Sequence, residues 1–583
     1  MIILGLNAYH GDSSACIVSD GKLVAAIEEE RIRRQKHWAG LPTESIKWCL
    51  EYTGIDIKDV DYIAVGRNPS AHIHKKILRV LKRTPSFSFL KSRLDNASKI
   101  GDLKNDIAKA LGVDPSVIRA KIENVEHHRA HIASSFLVSP FDEAVSISID
   151  GFGDFVSTMR GIGRENKVEI SDWVEFPHSL GIFYTALTQF LGFWKYGDEY
   201  KVMGLSALGE PEYADVMKKI VRLSDNGLFK LDTDYFLHDK QGVDMIWNGG
   251  DPEIGKLFSD KMVEVLGKPR DKNEEINEKY QNIAASLQYM YEETFYHILN
   301  ETYKKYKVDK LTLSGGSIQN SLANGKIFEK TPFKEIYIPP ASPDAGTAIG
   351  AAFWVWNIVL GNKRDFVMDS PFWGPEFSDS AVENILNDYK IKYQKLDEEL
   401  LLKKVAEAIK DGKIVGWFQG RTEWGPRALG NRSILVDPRR KEMKDILNER
   451  IKRRETFRPF APSILEDYVS EWFENSYPVP FMEKVYKIKP EKREFIPAVT
   501  HVDGTGRLQT VSKPINPKYY NLIEEFYKLT NVPMVLNTSF NENEPIVNTS
   551  KDALECFLRT KMDVLAINNY LVLNNDNSPK GNL

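Results

Sequence analysis

Short apolar runs separated by polar turns open the chain. Ile2 to Leu6, Ala15 to Val18 and, after the Asp20-Gly21 turn, Leu23 to Ile27 predict three strands joined by hairpins. The layout returns at Ala144 to Ile149, Val156 to Gly163 and Val168 to Trp173, and the loop Asp150-Gly151-Phe152-Gly153-Asp154 parallels Asn7 to Asp12. A duplicated N-terminal part is expected, with two similar lobes facing one cleft. Polar turns of this kind expose backbone N–H groups suited to phosphate, although two ordinary hairpins would show the same spacing.

Farther along, Ile276, Tyr280, Ile283, Ala284, Leu287, Met290 and Phe295 recur at three- and four-residue steps, which predicts a long amphipathic helix facing the core. Lys310 to Leu313 reads as a strand ending in Ser314-Gly315-Gly316-Ser317, and Gln319-Asn320-Ser321 opens another helix. Ala345 to Leu360 is mostly apolar but shorter than the roughly 20 residues a membrane span needs, and it carries Thr347 and Asn357; a buried helix is expected. Prolines and glycines between Gly361 and Glu376 break both periodicities. Helix (Leu400 to Ile409) and strand (Ile414 to Phe418) patterns then resume. The fold class is therefore α/β, with a first domain over 1–361, a linker over 362–378 and a second domain over 379–583.

The 583 residues exceed what one core organises, and 78 Lys+Arg against 82 Asp+Glu leave a net charge of −4. That balance points to small-molecule partners, with neither nucleic acid nor membrane. Cys16, Cys49 and Cys556 form no Cys-x-x-Cys pair, as expected of free thiols in a reducing compartment. The opening Met-Ile-Ile-Leu-Gly-Leu-Asn lacks the charged leader and cleavage site of a signal peptide, so a cytoplasmic location is expected.

Candidate chemistry lies in a few stretches. His127 and His131 are four apart, so on a helix both imidazoles project from one face and can share a metal, whereas His128 points elsewhere. Asp150 ends a buried apolar strand, a costly place for a carboxylate unless something positive meets it. Asp344, in Ser342-Pro343-Asp344-Ala345-Gly346, is either a further ligand or a helix N-cap. Two histidines with two carboxylates would suit Fe(II), Mn or Zn. His10 and Asp12 follow the first strand at the lip of the presumed cleft and could meet a substrate hydroxyl. Ser314-Gly315-Gly316-Ser317 allows close backbone approach, as nucleotide sites require, without the Walker spacing.

From Gly420 to Phe460 there are twelve Arg/Lys against six Asp/Glu. Arg421, Arg427, Arg432 and Arg458 lie in loops punctuated by Gly and Pro, where guanidinium forks can converge on a small oxyanion. Lys441 to Arg450, alternating in sign, reads as a surface helix. His501 to Arg507 and Asn537-Thr538-Ser539-Phe540-Asn541 are dense polar runs able to hydrogen-bond a flat ligand, or plain loops.

Together, Asn7-Ala8-Tyr9-His10-Gly11-Asp12-Ser13-Ser14-Ala15, His127-His128-Arg129-Ala130-His131, the run Gly420 to Ser433 with its Gly-Pro-Arg-Ala-Leu-Gly-Asn-Arg-Ser string, and Asn537 to Asn541 resemble the NodU/CmcH carbamoyltransferases nearly end to end. The resemblance implies a duplicated actin-like N-terminal domain with a metal site, similar to the universal tRNA threonylcarbamoyl transferases, and a YrdC-like C-terminal domain. It implies ATP, with Mg, and carbamoyl phosphate as substrates, a small hydroxyl-bearing acceptor, and Fe(II) or another metal on His127, His131, Asp150 and Asp344. It places His10, Asp12 and Lys36 on the acceptor side. Arg421, Arg427, Arg432, Lys452, Arg454, Arg458, Arg507, Ser539 and Asn541 would hold carbamoyl phosphate, and Gly151, Gly153, Gly315, Gly316 and Asn320 would approach the nucleotide. Thr422-Glu423-Trp424 departs from the expected Met-Glu-Phe but leaves the arginines intact. A homodimer is allowed. Two alternatives remain: a tRNA-modifying transferase, for which Lys75, Lys76, Arg79, Lys82 and Arg83 form the candidate basic surface, and a non-catalytic nucleotide-gated interaction module.

Overall fold

The computed structural model describes residues 1–82, 102–243, 245–246, 252–455 and 457–577. It divides into two compact units, Met1–Met368 and Asp369–Leu583. The break falls inside the stretch expected to be a linker. On its N-terminal side the Arg364 guanidinium donates to the carbonyls of Phe136, Leu137, Ser139, Phe141 and Glu165. On its C-terminal side the Gly374 amide donates to Thr422 O at 3.0 Å.

The first unit contains the same sheet twice. Strands β1 (Ile2–Asn7), β2 (Ser14–Ser19), β3 (Lys22–Glu28), β4 (Tyr62–Val65) and β5 (Lys121–Asn124) are ordered β3-β2-β1-β4-β5. Strands β6 (Glu143–Gly153), β7 (Val156–Arg164), β8 (Lys167–Glu175), β9 (Lys310–Ser314) and β10 (Glu335–Tyr337) are ordered β8-β7-β6-β9-β10. In each copy the first three strands form an antiparallel meander and the last two pair in parallel. This is the expected duplicated, actin-like architecture.

Two helices matter most for the site. One spans His127–Phe136 behind the N-cap Glu126, whose carboxylate accepts from the Arg129 amide; the other spans Thr347–Phe353, all seven residues buried, and continues in a π-turn over Trp354–Val359. A side chain at Gly350 would stand 1.8 Å from Ala130 O, so the two backbones meet where only glycine fits. The long amphipathic helix runs Glu278–Tyr306, with Asn277 accepting from the Tyr280 amide.

The second unit is a mixed sheet of eight strands: β11 (Gln394–Lys395), β12 (Val415–Phe418), β13 (Arg432–Val436), β14 (Ala461–Leu465), β15 (Gln509–Val511), β16 (Met534–Ser539), β17 (Val564–Ile567) and β18 (Tyr570–Leu573), ordered β11-β18-β17-β12-β13-β16-β14-β15. Helices Glu398–Lys410 and Pro517–Thr530 cover it, and Trp417, Phe526 and Phe557 are fully buried in its core.

Candidate metal centre and anion pocket

In the first unit, the β6–β7 ladder shifts register between Ile149 and Gly153, leaving Asp150 free of the regular pairing. The Gly316 amide donates to Asp150 Oδ1 at 3.0 Å, turning Oδ2 toward the histidines. His127 Nε2 lies 3.2 Å from Asp150 Oδ2, 3.1 Å from His131 Nε2 and 3.5 Å from Asp344 Oδ1. His131 Nε2 lies 3.4 Å from Asp150 Oδ2 and 3.3 Å from Asp344 Oδ1. All four residues are buried.

Ligands about 2.1 Å from a tetrahedral ion stand about 3.4 Å apart, so these four atoms have the spacing of a first coordination sphere. Asp344 Oδ1 is buried without a hydrogen-bond partner, as suits an oxygen meant for a cation. Burial opposes a charge on His131, but the neighbouring carboxylates of Asp150 and Asp344 raise its pKa to about 9. Against its own burial, the two histidines hold Asp150 well below the usual carboxylate range. The donor set fits a borderline divalent metal. His128 points away, with Nδ1 2.8 Å from Ser148 Oγ.

Beside this centre, Asn7 Nδ2 donates to the carbonyls of Gly11 (2.9 Å) and Asp12 (3.0 Å), folding the loop after β1. His10 Nδ1 pairs with Asp344 Oδ2, and its ring lies 5.3 Å from that of His127. Asp12, at φ +56°, accepts from His37 Nδ1 at 2.8 Å. Lys36 is half-buried, close enough to Glu30 and His37 to act on both charges. The structure thus gathers His10, Asp12 and Lys36, and adds His37 and Tyr196. The Tyr196 hydroxyl would stand 2.8 Å from a side chain at Gly11. The sequence hid these two: His37 sits in a charge run resembling solvated surface, and Tyr196 is remote along the chain.

The glycines expected near nucleotide have separate surroundings. A side chain at Gly151 would meet nothing within 4 Å, whereas one at Gly153 would lie 1.9 Å from His127 Cδ2. Gly315, at φ +100°, passes Ile149 O too closely for any side chain, and Gly316 serves Asp150. Asn320 caps helix Ser321–Gly325 and exchanges amide hydrogen bonds with Gln288 at 2.9 and 3.0 Å.

In the second unit, the loop from Gly420 to Arg432 is organised from within. Glu423 Oε1 accepts from the amides of Leu429, Asn431 and Arg432 at 2.8–3.0 Å. Asn537 Nδ2 donates to Ala428 O at 3.1 Å and Gln509 Nε2 to Leu429 O at 2.8 Å. Arg432 is fully buried, 3.7 Å over Phe418, and donates to the carbonyls of Gln419, Asn431, Pro375 and Gly420; burial pushes its pKa down to about 10. Arg432, expected to hold carbamoyl phosphate, thus has Nη1 and Nη2 on loop carbonyls, which fasten the loop, while Nε is buried without a partner. Arg421 is likewise committed to the carbonyls of Gly374 and Trp373.

Other arginines from the same expectation lie close enough to act on one another's charge. Burial first, then the charges of Arg427, Arg454 and Arg458, push the Arg507 guanidinium well below its usual range. Nearby His501 is pushed to about 4, by burial and then, against Asp503, by Arg507 and Lys444. Three guanidiniums acting on a fourth, half-buried one make a pocket for an anion. Separately, Lys452 Nζ, buried beneath the turn after β16, donates to Ser539 O (2.6 Å), Asn541 O (2.8 Å) and Asn541 Oδ1 (2.7 Å) and lies 3.2 Å from Ser539 Oγ. Arg454 donates to Asn448 Oδ1 at 2.8 Å.

Within the basic run, Lys75 pairs with Glu175, Lys76 donates to Pro69 O and Arg79 pairs with Asp239. The Lys82 side chain and Arg83 lie outside the described residues. Among those residues no helix is long and apolar enough to cross a membrane.

Comparison with known proteins closes the case for the family. Residues 2–353 match the family model described as carbamoyltransferase N-terminus, and residues 406–574 match carbamoyltransferase C-terminus. The chain is 38% identical to nodulation protein NolNO of Sinorhizobium fredii, over 98% of this chain and 80% of that protein. It is 28% identical to nodulation protein U of Rhizobium tropici, over 93% and 91%. Among solved structures, HypF of T. kodakarensis overlays at a TM-score of 0.31 with 14% identity, covering 62% of this chain and 48% of that one, too loosely to argue from. The chain belongs to the carbamoyltransferase family and is an enzyme of that class.

Proposed function

We propose that this carbamoyltransferase is ATP-dependent and transfers the carbamoyl group from carbamoyl phosphate to a hydroxyl of a small molecule, a sugar or natural-product alcohol, through a carbamoyl adenylate. The observation that carries the reading is that Arg427, Arg454 and Arg458 all lie near enough to press on the charge of Arg507. Such a pocket suits a compact phosphorylated donor, and guanidinium forks bind phosphate oxygens in pairs. Lys452 with Ser539 and Asn541 matches the Lys-x-Arg and Ser-x-Asn pairs of a YrdC-like site and would orient the carbamoyl group or the nucleotide.

In the first half-reaction water attacks the phosphorus of carbamoyl phosphate, the bond to the carbamoyl oxygen breaks, and carbamate and inorganic phosphate result. A carbamate oxygen then attacks the α-phosphorus of Mg-bound ATP, and pyrophosphate leaves. In the second, the acceptor oxygen attacks the carbamoyl carbon, the bond to the phosphoryl oxygen breaks, and AMP departs. His10 or Asp12 would take the hydroxyl proton. His127, His131, Asp150 and Asp344 would hold Fe(II), Mn or Zn, which when bound supplies Lewis-acid polarisation of an oxygen. Gly151, with open space above it, is the glycine best placed for close approach of a nucleotide.

The test is incubation of the protein with ATP and labelled carbamoyl phosphate, with and without a cell extract as the source of alcohols. Pyrophosphate release and an alkali-labile labelled ester are expected. No heat on titration with carbamoyl phosphate, together with no pyrophosphate release, would sink the reading.

A further inference from the structure

A half-buried polar cluster of Asp12, Glu30 and His37 in the N-terminal unit lies outside the metal ligands. His37 follows helix Glu29–Arg33 in the left-handed region, at φ +52°. A bulky non-glycine residue there needs compensating contacts. Its amide donates to Glu30 Oε2 at 2.9 Å, and its Nδ1 lies 2.8 Å from Asp12 Oδ1. The ring meets Tyr196 edge-on at 5.1 Å, and its Nε2 stands 2.6 Å from where a side chain on Gly197 would be, so Gly197 leaves the space the imidazole fills. Contacts from two separate segments hold this ring, and Glu30 holds its backbone, with Nδ1 directed at Asp12. A histidine on solvated surface would show none of them.

Resting on the functional reading above, we propose that His37 is a positioning residue for the second half-reaction: through Nδ1–H it fixes the Asp12 carboxylate as the group that receives the acceptor's hydroxyl proton. The charged and titratable groups facing His37 are Asp12 and Glu30, which favour its protonated form, Lys36, which opposes it, and Glu199 and Tyr196. Burial also opposes the charge, yet Asp12 and Glu30 raise the His37 pKa to about 9, so the ring keeps its Nδ1 proton at neutral pH. As the acceptor oxygen bonds to the carbamoyl carbon of the mixed anhydride, its proton passes to Asp12. The carbon–oxygen bond to phosphate breaks, and AMP carries away that electron pair. Holding one carboxylate oxygen leaves the other oriented toward the incoming hydroxyl.

Two variants separate positioning from packing. His37→Asn keeps a donor near the place of Nδ1, and His37→Phe keeps the ring but no donor. With glycerol as the probe alcohol, His37→Phe is expected to lower kcat for carbamoylglycerol by about 100-fold, with pyrophosphate release unchanged and most of the transfer rate restored in His37→Asn. A second readout needs no acceptor. In protein labelled with ¹⁵N-histidine, the His37 titration midpoint should fall by at least about one unit in Asp12→Asn. An unmoved midpoint overturns the proposal whatever the activities show, as does equal loss of transfer in the Asn and Phe variants. Wild-type protein that releases no pyrophosphate from ATP and carbamoyl phosphate would instead remove the functional reading, leaving the histidine titration to judge the pairing alone.

Discussion

The imidazole of His127 occupies the volume that a side chain at position 153 would fill: the methyl group of an alanine there would lie 1.9 Å from Cδ2. Gly153→Ala must therefore displace a metal ligand. Bound metal, measured by plasma mass spectrometry on protein purified with Fe(II) or Mn, should fall at least about tenfold, in line with losses seen when groups supporting a metal ligand are removed. Gly151→Ala, with open space around it, should retain the metal, and a raised KM for ATP in that variant alone would mark close nucleotide approach.

His127→Ala removes one of four converging ligand atoms. Carbamoyl transfer should fall about 100-fold or more, while ATP- and carbamoyl-phosphate-dependent pyrophosphate release stays within about threefold of wild type. Equal loss of the two half-reactions would contradict their assignment to separate units.

Half-buried among three like charges, Arg507 is costly to keep charged, and an anion relieves that cost. Inorganic phosphate at about 100 times its Kd should stabilise the wild-type protein by about 2.7 kcal/mol in chemical denaturation. Arg507→Met should lose most of that gain and, without phosphate, be no less stable than wild type. A phosphate effect undiminished in the variant would place the anion elsewhere.

Arg432→Met should behave in the opposite way. It strands four carbonyls that the guanidinium now serves, so a loss of about 3–5 kcal/mol is expected, in the range for breaking a buried charged network. Wild-type stability with raised KM for carbamoyl phosphate would restore the substrate-binding role.

His501 gives a pH signature. Its folded pKa, about 4, lies below the 6.5 of a free imidazole, so between those values the unfolded chain binds a proton that the folded chain does not. Stability therefore falls as pH drops from about 6.5 toward 4, by at most about 1.4 kcal/mol per pH unit from this group. Denaturation curves of His501→Gln should show a shallower slope over that window; an unchanged slope would assign the loss to other groups.

Much of this was legible from periodicity. The doubled hairpin pattern reports the doubled sheet because a strand's alternation is local, and the four-residue spacing of His127 and His131 fixes their common face. Asp344 was ambiguous, since a carboxylate at a helix start serves equally as a cap. Only the close passage of Gly350 against Ala130 decides that its helix lies beside the two histidines. The arginines show the limit most sharply. Arg432 and Arg507 look alike along the chain, and what separates them is whether carbonyls or other guanidiniums surround them, a property of the folded loop that no spacing encodes. His37 was obscured for the same reason: its partners come from Asp12, Glu30 and a glycine near position 200.

The repeated sheet has an evolutionary consequence. After a duplication, each copy keeps its hydrogen-bonded floor while the tip of its first strand is free to drift. Here one tip opens with Asn7, which folds its own loop, and the other with Asp150, which faces the histidines, so an ancestral position present twice has become two different instruments. Variation in which alcohol is modified should therefore accumulate around the first tip across descendants, while the second stays nearly constant.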